Sequence, residues 1–449
     1  MTRTRSSSWA LAAVFLIAIL LRFPLLGTKS LWFDEAFSVH SATSSLKVVD
    51  ANAPPLYYML LYATMQLIGQ SEAAVRLPSA VFSLLSIGLL YLLGRKLLDR
   101  DTALLAAALL ALSPLDVWYG REARMYAATG FVTLLMALGL AWRHWVGFVL
   151  FFFALITGLY LSYLALPIWL ALSAIWFVFW RNKDGRKSHL ALWLAASLGA
   201  WLVYRPWWAE IAGWVQRPLL RHWMFVPIRN LLGIETLSPL HFVLTALLVA
   251  GALAGAATVA PPILREPHRR RVITALVLMG FLAVVLLVPV PRIYAVKRVL
   301  ATAWALVILF VAWLAVQVQQ RRRVLIGLLL GVSLASSVMT AFFVPKDDWR
   351  GVARMVRQNA PDAVLWVDPR WNGVAYQYYD PEHQVLYGDL AKLEQVAAEN
   401  EELWFVAERA HGRPIPSSPS ETWLNENMEL VKAIPFYRLE LRQYQRRNR

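Results

Sequence analysis

The chain reads as a polytopic α-helical membrane protein that ends in a small α/β domain. Three observations predict this. Of 449 residues, 59% are hydrophobic and 16% charged, against about 45–50% and about 25% in soluble domains. The apolar residues gather in runs of roughly 20, the length that crosses a bilayer as a helix. Charge also divides the chain, since residues 1–343 hold 30 Lys and Arg against 12 Asp and Glu, whereas 344–449 hold 14 against 16. The expected domains are therefore a transmembrane domain, 1–343, and an extracytoplasmic α/β domain, 344–449. The absence of cysteine excludes a disulfide scaffold. The net charge of +16 lies beside apolar spans, where topology accounts for it without nucleic acid.

Taken in order, about eleven spans are expected, near 9–27, 73–95, 102–119, 125–142, 145–163, 164–180, 188–204, 238–258, 272–290, 299–316 and 324–343. The first is too long for a removable signal peptide and has no small-residue cleavage site after it. Arg3 and Arg5 precede it, which places the N-terminus in the cytoplasm. The same assignment puts the short basic loops inside, and with the N-terminus they carry 17 basic and 4 acidic residues. An odd number of spans then sends the C-terminal domain outside.

The first outer loop, 28–72, is too long for a turn and is rich in aromatic residues. Asp34, Ser38 and Ser41 share one helical stripe there, with Trp32, Ala36 and Val39 on another. Residues 56–68 follow Pro54-Pro55, a helix start. Both segments are expected to lie along the membrane interface. A second long outer loop covers 205–237. In the tail, residues 347–359, 390–400 and 421–428 read as helices, and 363–368, 402–408 and 436–444 as strands. There is no glycine-rich phosphate loop in that domain.

The acids of the membrane portion are few and informative. Asp34 and Glu35 stand between Leu31-Trp32-Phe33 and Ala36-Phe37, and a carboxylate in apolar surroundings suits a base. A polar face turned to water explains the same pattern. Arg121 and Arg124 share a helix face, with Glu122 placed to orient one of them. Arg292, Lys297 and Arg298 form another outer cationic group. Cations on the side that the positive-inside rule disfavours fit a donor phosphate, or lipid headgroups reached by snorkelling. Asp99-Arg-Asp101 reads as a structural cytoplasmic turn. The histidines, His40 and His222 included, show no ligand spacing, so no cofactor is expected and a divalent metal is unsupported.

The order Leu31-Trp-Phe-Asp34-Glu35, Ala53-Pro-Pro-Leu-Tyr57-Tyr58, Arg76-Leu-Pro-Ser79 and Tyr119-Gly-Arg121-Glu122-Ala-Arg124-Met-Tyr126 resembles the GT-C glycosyltransferase superfamily. It is most similar to the protein O-mannosyltransferase and lipid A aminoarabinose transferase branch. Arg292-Ile-Tyr294 and Asp348-Trp-Arg350 fit the same layout. The resemblance implies inverting transfer of a sugar from a polyprenyl-phosphate carrier to a lipid, glycan or protein hydroxyl, with Asp34 in the position of the base. It makes Tyr57, Tyr58, Glu122 and Tyr126 candidates for the acceptor or sugar pocket. Where the family often has His, or Glu-Lys, this chain has Asn52-Ala53. That shifts phosphate binding toward the arginines. Two other classes share the layout: a lipid-linked sugar flippase without chemistry, and a ligase of preassembled glycans. Span interiors nearly free of ionisable groups speak against an ion-coupled carrier.

Overall fold

The computed structural model describes residues 2–43, 54–142, 144–180, 186–209, 293–318, 321–409 and 418–447. The spans expected near 238–258 and 272–290, Arg292, His222 and most of the 205–237 loop lie outside the described residues.

Helices follow the apolar runs. The first four are α1 (Thr2–Arg22), α2 (Phe33–Thr43), α3 (Leu56–Ile68) and α4 (Glu72–Leu97). The run expected over 102–119 divides into α5 (Arg100–Ala111) and α6 (Pro114–Gly120), bent by 56°. The break has a local cause. Ser113 Oγ accepts the Asp116 N–H and Pro114 opens the new helix, so a cap and a start stand inside one apolar run. Then come α7 (Tyr126–Ala141), α8 (Trp145–Leu161), α9 (Ala165–Trp180), α10 (Arg186–Val203), α11 (Ile293–Gln317) and α12 (Arg322–Val338). Among the described residues, Glu72–Leu97, Leu300–Gln317 and Arg322–Phe343 are long and apolar enough to cross a membrane, and α5 with α6 makes a fourth if taken as one span. The other apolar helices are shorter.

Two compact units result, and each is built by its own logic. The first comprises Met1–Pro24, Val49–Tyr57 and Leu77–Ala341. Within it α7 packs on α8, α9 and α11, and α5 packs on α1 and α11. The α7–α8 contact depends on two glycines. A Cβ on Gly139 would stand 2.7 Å from the Gly147 carbonyl oxygen and 2.8 Å from the Phe151 nitrogen. Small residues let helix backbones approach this closely, where dispersion rather than water drives packing.

The second unit comprises Leu25–Val48, Tyr58–Arg76 and Phe342–Arg449. Its C-terminal part runs α13 (Trp349–Asn359), β1 (Val364–Asp368), α14 (Gly373–Tyr379), β2 (Val385–Leu386), α15 (Leu390–Glu399), β3 (Glu402–Glu408), α16 (Pro419–Asn427), β4 (Met428–Phe436) and β5 (Leu439–Arg446). The sheet order is β2-β1-β3-β5-β4, with β2, β1 and β3 parallel and β5 and β4 antiparallel. Trp366, Leu393, Leu403, Phe405, Leu424 and Tyr444 fill one core beside it. Helix α14 and strands β2 and β4 are additions to the expected pattern. The segment 436–444, expected as one strand, turns at Tyr437-Arg438, where Arg438 takes a left-handed φ of 58° and the chain folds back as a hairpin.

In the segment 28–72 the structure decides between the two readings of the acidic stripe. The stripe of Asp34, Ser38 and Ser41 is buried, not turned to water, and α2 packs on α14. Helix α3 leaves Met59, Tyr62, Leu67 and Ile68 exposed, an apolar outer face.

The glycine contact yields a stability prediction. Gly139→Val should destabilise the first unit by about 1–3 kcal/mol through overpacking, measured by thermal unfolding in detergent. Gly331→Ala, where an added Cβ meets nothing within 4 Å, should leave the transition unchanged or raise it slightly.

Candidate active site

The second unit places a buried ion cluster next to Asp34. Asp34 and Glu35 stand in the first turn of α2. Glu35 is fully buried, and Arg76 grips it bidentately, Nε to Oε1 at 2.7 Å and Nη2 to Oε2 at 2.8 Å. Lys346 Nζ adds a third bond to Oε2 at 2.9 Å. The rest of the Arg76 guanidinium is also spoken for. Nη1 donates to the carbonyls of Leu26 and Lys29, each at 2.8 Å, and Nη2 to that of Ser30 at 3.0 Å. A guanidinium has five N–H donors in a fixed fork, and here each has an acceptor. Burial alone would raise the Glu35 pKa, but the two cations and their hydrogen bonds outweigh it and hold the carboxyl at about 2.

Two C-terminal residues tie down the same stretch of loop. The Tyr379 hydroxyl accepts from the Leu31 N–H at 2.6 Å and from Ser30 Oγ at 3.2 Å. Arg350 donates its backbone N–H to Ser30 Oγ at 3.1 Å and its Nη2 to the Gly27 carbonyl at 2.9 Å, and it pairs with Glu72. Burial pushes the Tyr379 hydroxyl up to about 12, so it stays protonated. Asp34, 8% exposed, therefore stands on a helix turn held from several directions.

The first unit places the other candidates. Arg121 Nη1 donates to the carbonyls of Leu21, Arg22 and Pro24 at 3.2, 3.1 and 2.8 Å, so it caps the C-terminal end of α1. Arg22, at the end of α1, caps α5 in turn. It donates to the Leu110 and Ala111 carbonyls at the end of α5, and pairs with Asp116 at 2.6 Å and Ser83 Oγ at 2.6 Å. Arg121 and Arg124 are both buried, which removes snorkelling to headgroups as their explanation. Ser79 Oγ donates to the Arg124 carbonyl at 3.0 Å, which leaves the Tyr57 hydroxyl to donate to Ser79 at 2.9 Å. The Arg124 guanidinium lies 5.8 Å from the Tyr126 ring centroid. Glu122 and Tyr126 are buried in this unit, and Tyr58 in the second. Lys297 and Arg298 fall in the first turns of α11.

Sequence reasoning singled out Glu35 and quoted Arg76 within the Arg76-Leu-Pro-Ser79 motif, but did not pair them, and it missed Lys346 and Tyr379. Arg76 had a signal, a lone cation where a span begins, whereas Lys346 and Tyr379 are more than 300 residues away in sequence. Among the described residues no group of three or more His, Asp or Glu is placed to hold a metal ion.

The cluster fixes a pH dependence. A carboxyl lowered from 4.5 to about 2 contributes stability that is present above 4.5 and lost as the pH falls through 2. Burial raises neighbouring Asp347 from 3.8 to about 6, so its contribution is present below 3.8 and lost as the pH rises through 6. The two have opposite signs, so the variant is needed to separate them. Glu35→Gln should be less stable than the parent at neutral pH, with the two melting curves converging as the pH approaches 2.

Residues 52–209 match the family Dolichyl-phosphate-mannose-protein mannosyltransferase (PMT_2). No curated protein sequence matches the chain. Among solved structures, it is similar to apo ArnT from Cupriavidus metallidurans at 14% identity and a TM-score of 0.62, covering 98% of each chain. The same ArnT bound to undecaprenyl phosphate matches at 15% identity and a TM-score of 0.61, covering 97% of this chain and 98% of that one. The oligosaccharyltransferase AglB from Archaeoglobus fulgidus, in complex with an inhibitory peptide and a dolichol-phosphate, matches at 12% identity and a TM-score of 0.57. That likeness covers 90% of this chain and 69% of AglB. The family match covers residues 52–209, and the likeness to ArnT, over nearly the whole of both chains, is one of fold.

Proposed function

We propose that the protein is an inverting glycosyltransferase that moves a sugar from a polyprenyl-phosphate carrier to a hydroxyl of a lipid, glycan or protein on the outer face of the membrane. The acceptor oxygen attacks the anomeric carbon as the bond from that carbon to the phosphate oxygen breaks. Asp34 takes the hydroxyl proton, and the carrier leaves as its phosphate. Arg124 neutralises the leaving phosphate, with Arg292, Lys297 and Arg298 as further cations. Tyr57, Tyr58, Glu122 and Tyr126 shape the acceptor or sugar pocket. Residues 344–449 are extracytoplasmic in this reading, the N-terminus is cytoplasmic, and the enzyme is integral to the cytoplasmic membrane with about eleven spans.

One observation carries the assignment of the base. Glu35 is committed to Arg76 and Lys346 and held ionised far below neutral pH, which suits an anchor and not a proton acceptor. The acid–acid pair thus divides its labour, and the chemistry falls to Asp34. A polyprenyl-phosphate donor is supported by the fold shared with ArnT, which is solved with undecaprenyl phosphate. Arg121 is better suited to holding α1 than to holding phosphate, since three carbonyls share its Nη1.

The test is single-turnover transfer from labelled undecaprenyl-phosphate sugars to membrane lipids by purified protein. Asp34→Asn should lose about 10²–10⁴-fold in rate and still bind undecaprenyl phosphate. Near-parental transfer would remove Asp34 from the reaction. Arg124→Ala should weaken undecaprenyl phosphate binding with the fold retained, whereas Arg121→Ala should first lower the melting temperature. A reporter active only outside the cytoplasm, fused after β5, should be active.

A further inference from the structure

Two cations meet at the buried Glu35 carboxylate. Arg76 already pairs with Glu35 through both oxygens. Lys346, whose side chain is 5% exposed, nonetheless brings a second positive charge to Oε2. Burying an ammonium costs several kcal/mol unless its interactions offset that cost, and here Glu35 and the neighbouring Asp347 both draw on the Lys346 charge. What the third bond adds is geometric. Arg76 fixes the plane of the carboxylate relative to α4, and Lys346 fixes it relative to the segment that leads into α13. Glu35 is the residue next to Asp34 in the first turn of α2, so a shift of the backbone of that turn moves Asp34 with it. Arg350 and Tyr379, from the same C-terminal segment, hold Gly27, Ser30 and Leu31 on the approach to that turn.

We propose that Lys346 is a positioning residue for sugar transfer, acting through Glu35 to hold Asp34 in its reacting place. The segment after Phe342 thereby works as part of the reaction centre. The proposal rests on the reading of Asp34 as the base. A misplacement of about 1 Å at a reacting group costs on the order of 10²-fold in rate, which sets the scale of the expected effect.

The experiment uses the full chain in detergent or nanodiscs with whichever undecaprenyl-phosphate sugar the parent turns over. Lys346→Met keeps the apolar stem and removes the charge, and Lys346→Arg restores a cation. Lys346→Met should lower the single-turnover rate at saturating donor about 10–100-fold, with the donor KM and undecaprenyl phosphate binding near parental values. Lys346→Arg should recover most of that rate, and both variants should melt within a few degrees of the parent. A parental rate in Lys346→Met overturns the proposal. So does equal loss of rate and melting temperature in both variants, which marks a tether and nothing more. If Lys346→Met does not accumulate, Tyr379→Phe decides: slowed transfer with unchanged binding and melting supports positioning, and a parental rate overturns it. Asp34→Asn in the same assay separates the two readings. An inactive Asp34→Asn beside a parental Lys346→Met sinks only the positioning role, whereas an active Asp34→Asn sinks the base.

Discussion

The Arg76 guanidinium is the constraint on which the segment from residue 25 to α2 depends. Its five donors meet the carbonyls of Leu26, Lys29 and Ser30 and both oxygens of Glu35. Three carbonyls from a span of five residues define the path of the chain, and the carboxylate defines where α2 must begin. A buried guanidinium missing any of these acceptors would keep its desolvation cost without the compensation. The loop therefore has one arrangement that satisfies it. That is how a segment with little regular structure between Phe23 and Trp32 can hold a helix start in a fixed place.

The first unit uses arginine in the same way and to a different end. A helix leaves its last carbonyls without intrahelical donors, and the partial negative charge there attracts a cation. Arg22 serves the end of α5, and Arg121 serves the end of α1. Arg22 ties the end of α1 to that of α5, and Arg121 ties the end of α6 to that of α1. Part of the basic excess near this end of the helices is thus spent on backbone, which composition cannot distinguish from cations kept for a phosphate. Asp116 and Ser83 complete the arrangement around Arg22 by adding a counter-charge and a hydroxyl.

Much of the fold was legible because its signals are local. Apolar runs marked α4, α7, α8, α9 and α12 within a few residues, and short continuous apolar runs marked β1 and β3. The break between α5 and α6 was written as Ser113-Pro114, but a continuous apolar run masked it. Strand β4 was hidden for the opposite reason. It is an edge strand whose middle residues are mostly exposed and which contains Pro435, so no buried face imposes a period of two. At the candidate site, Asp34 and Glu35 stood out as acids among aromatics, but sequence could not tell which was ionised by a partner. That depends on Lys346, whose approach is a property of the folded chain alone.

The sequence separations in the cluster carry a final consequence for assembly. Loop-closure entropy makes distant contacts late ones, and Lys346 and Tyr379 meet Glu35 and Leu31 across 311 and 348 residues. Arg76 and Glu35 are only 41 residues apart and can pair as soon as α4 begins. The full set of ties needs residues as far along the chain as Tyr379, in α14. Until those residues are made the Leu31 N–H lacks the hydroxyl that accepts it, and Glu35 lacks its second cation. The geometry that holds Asp34 is therefore a property of the nearly finished chain, and a nascent chain carrying its helices alone does not yet possess it.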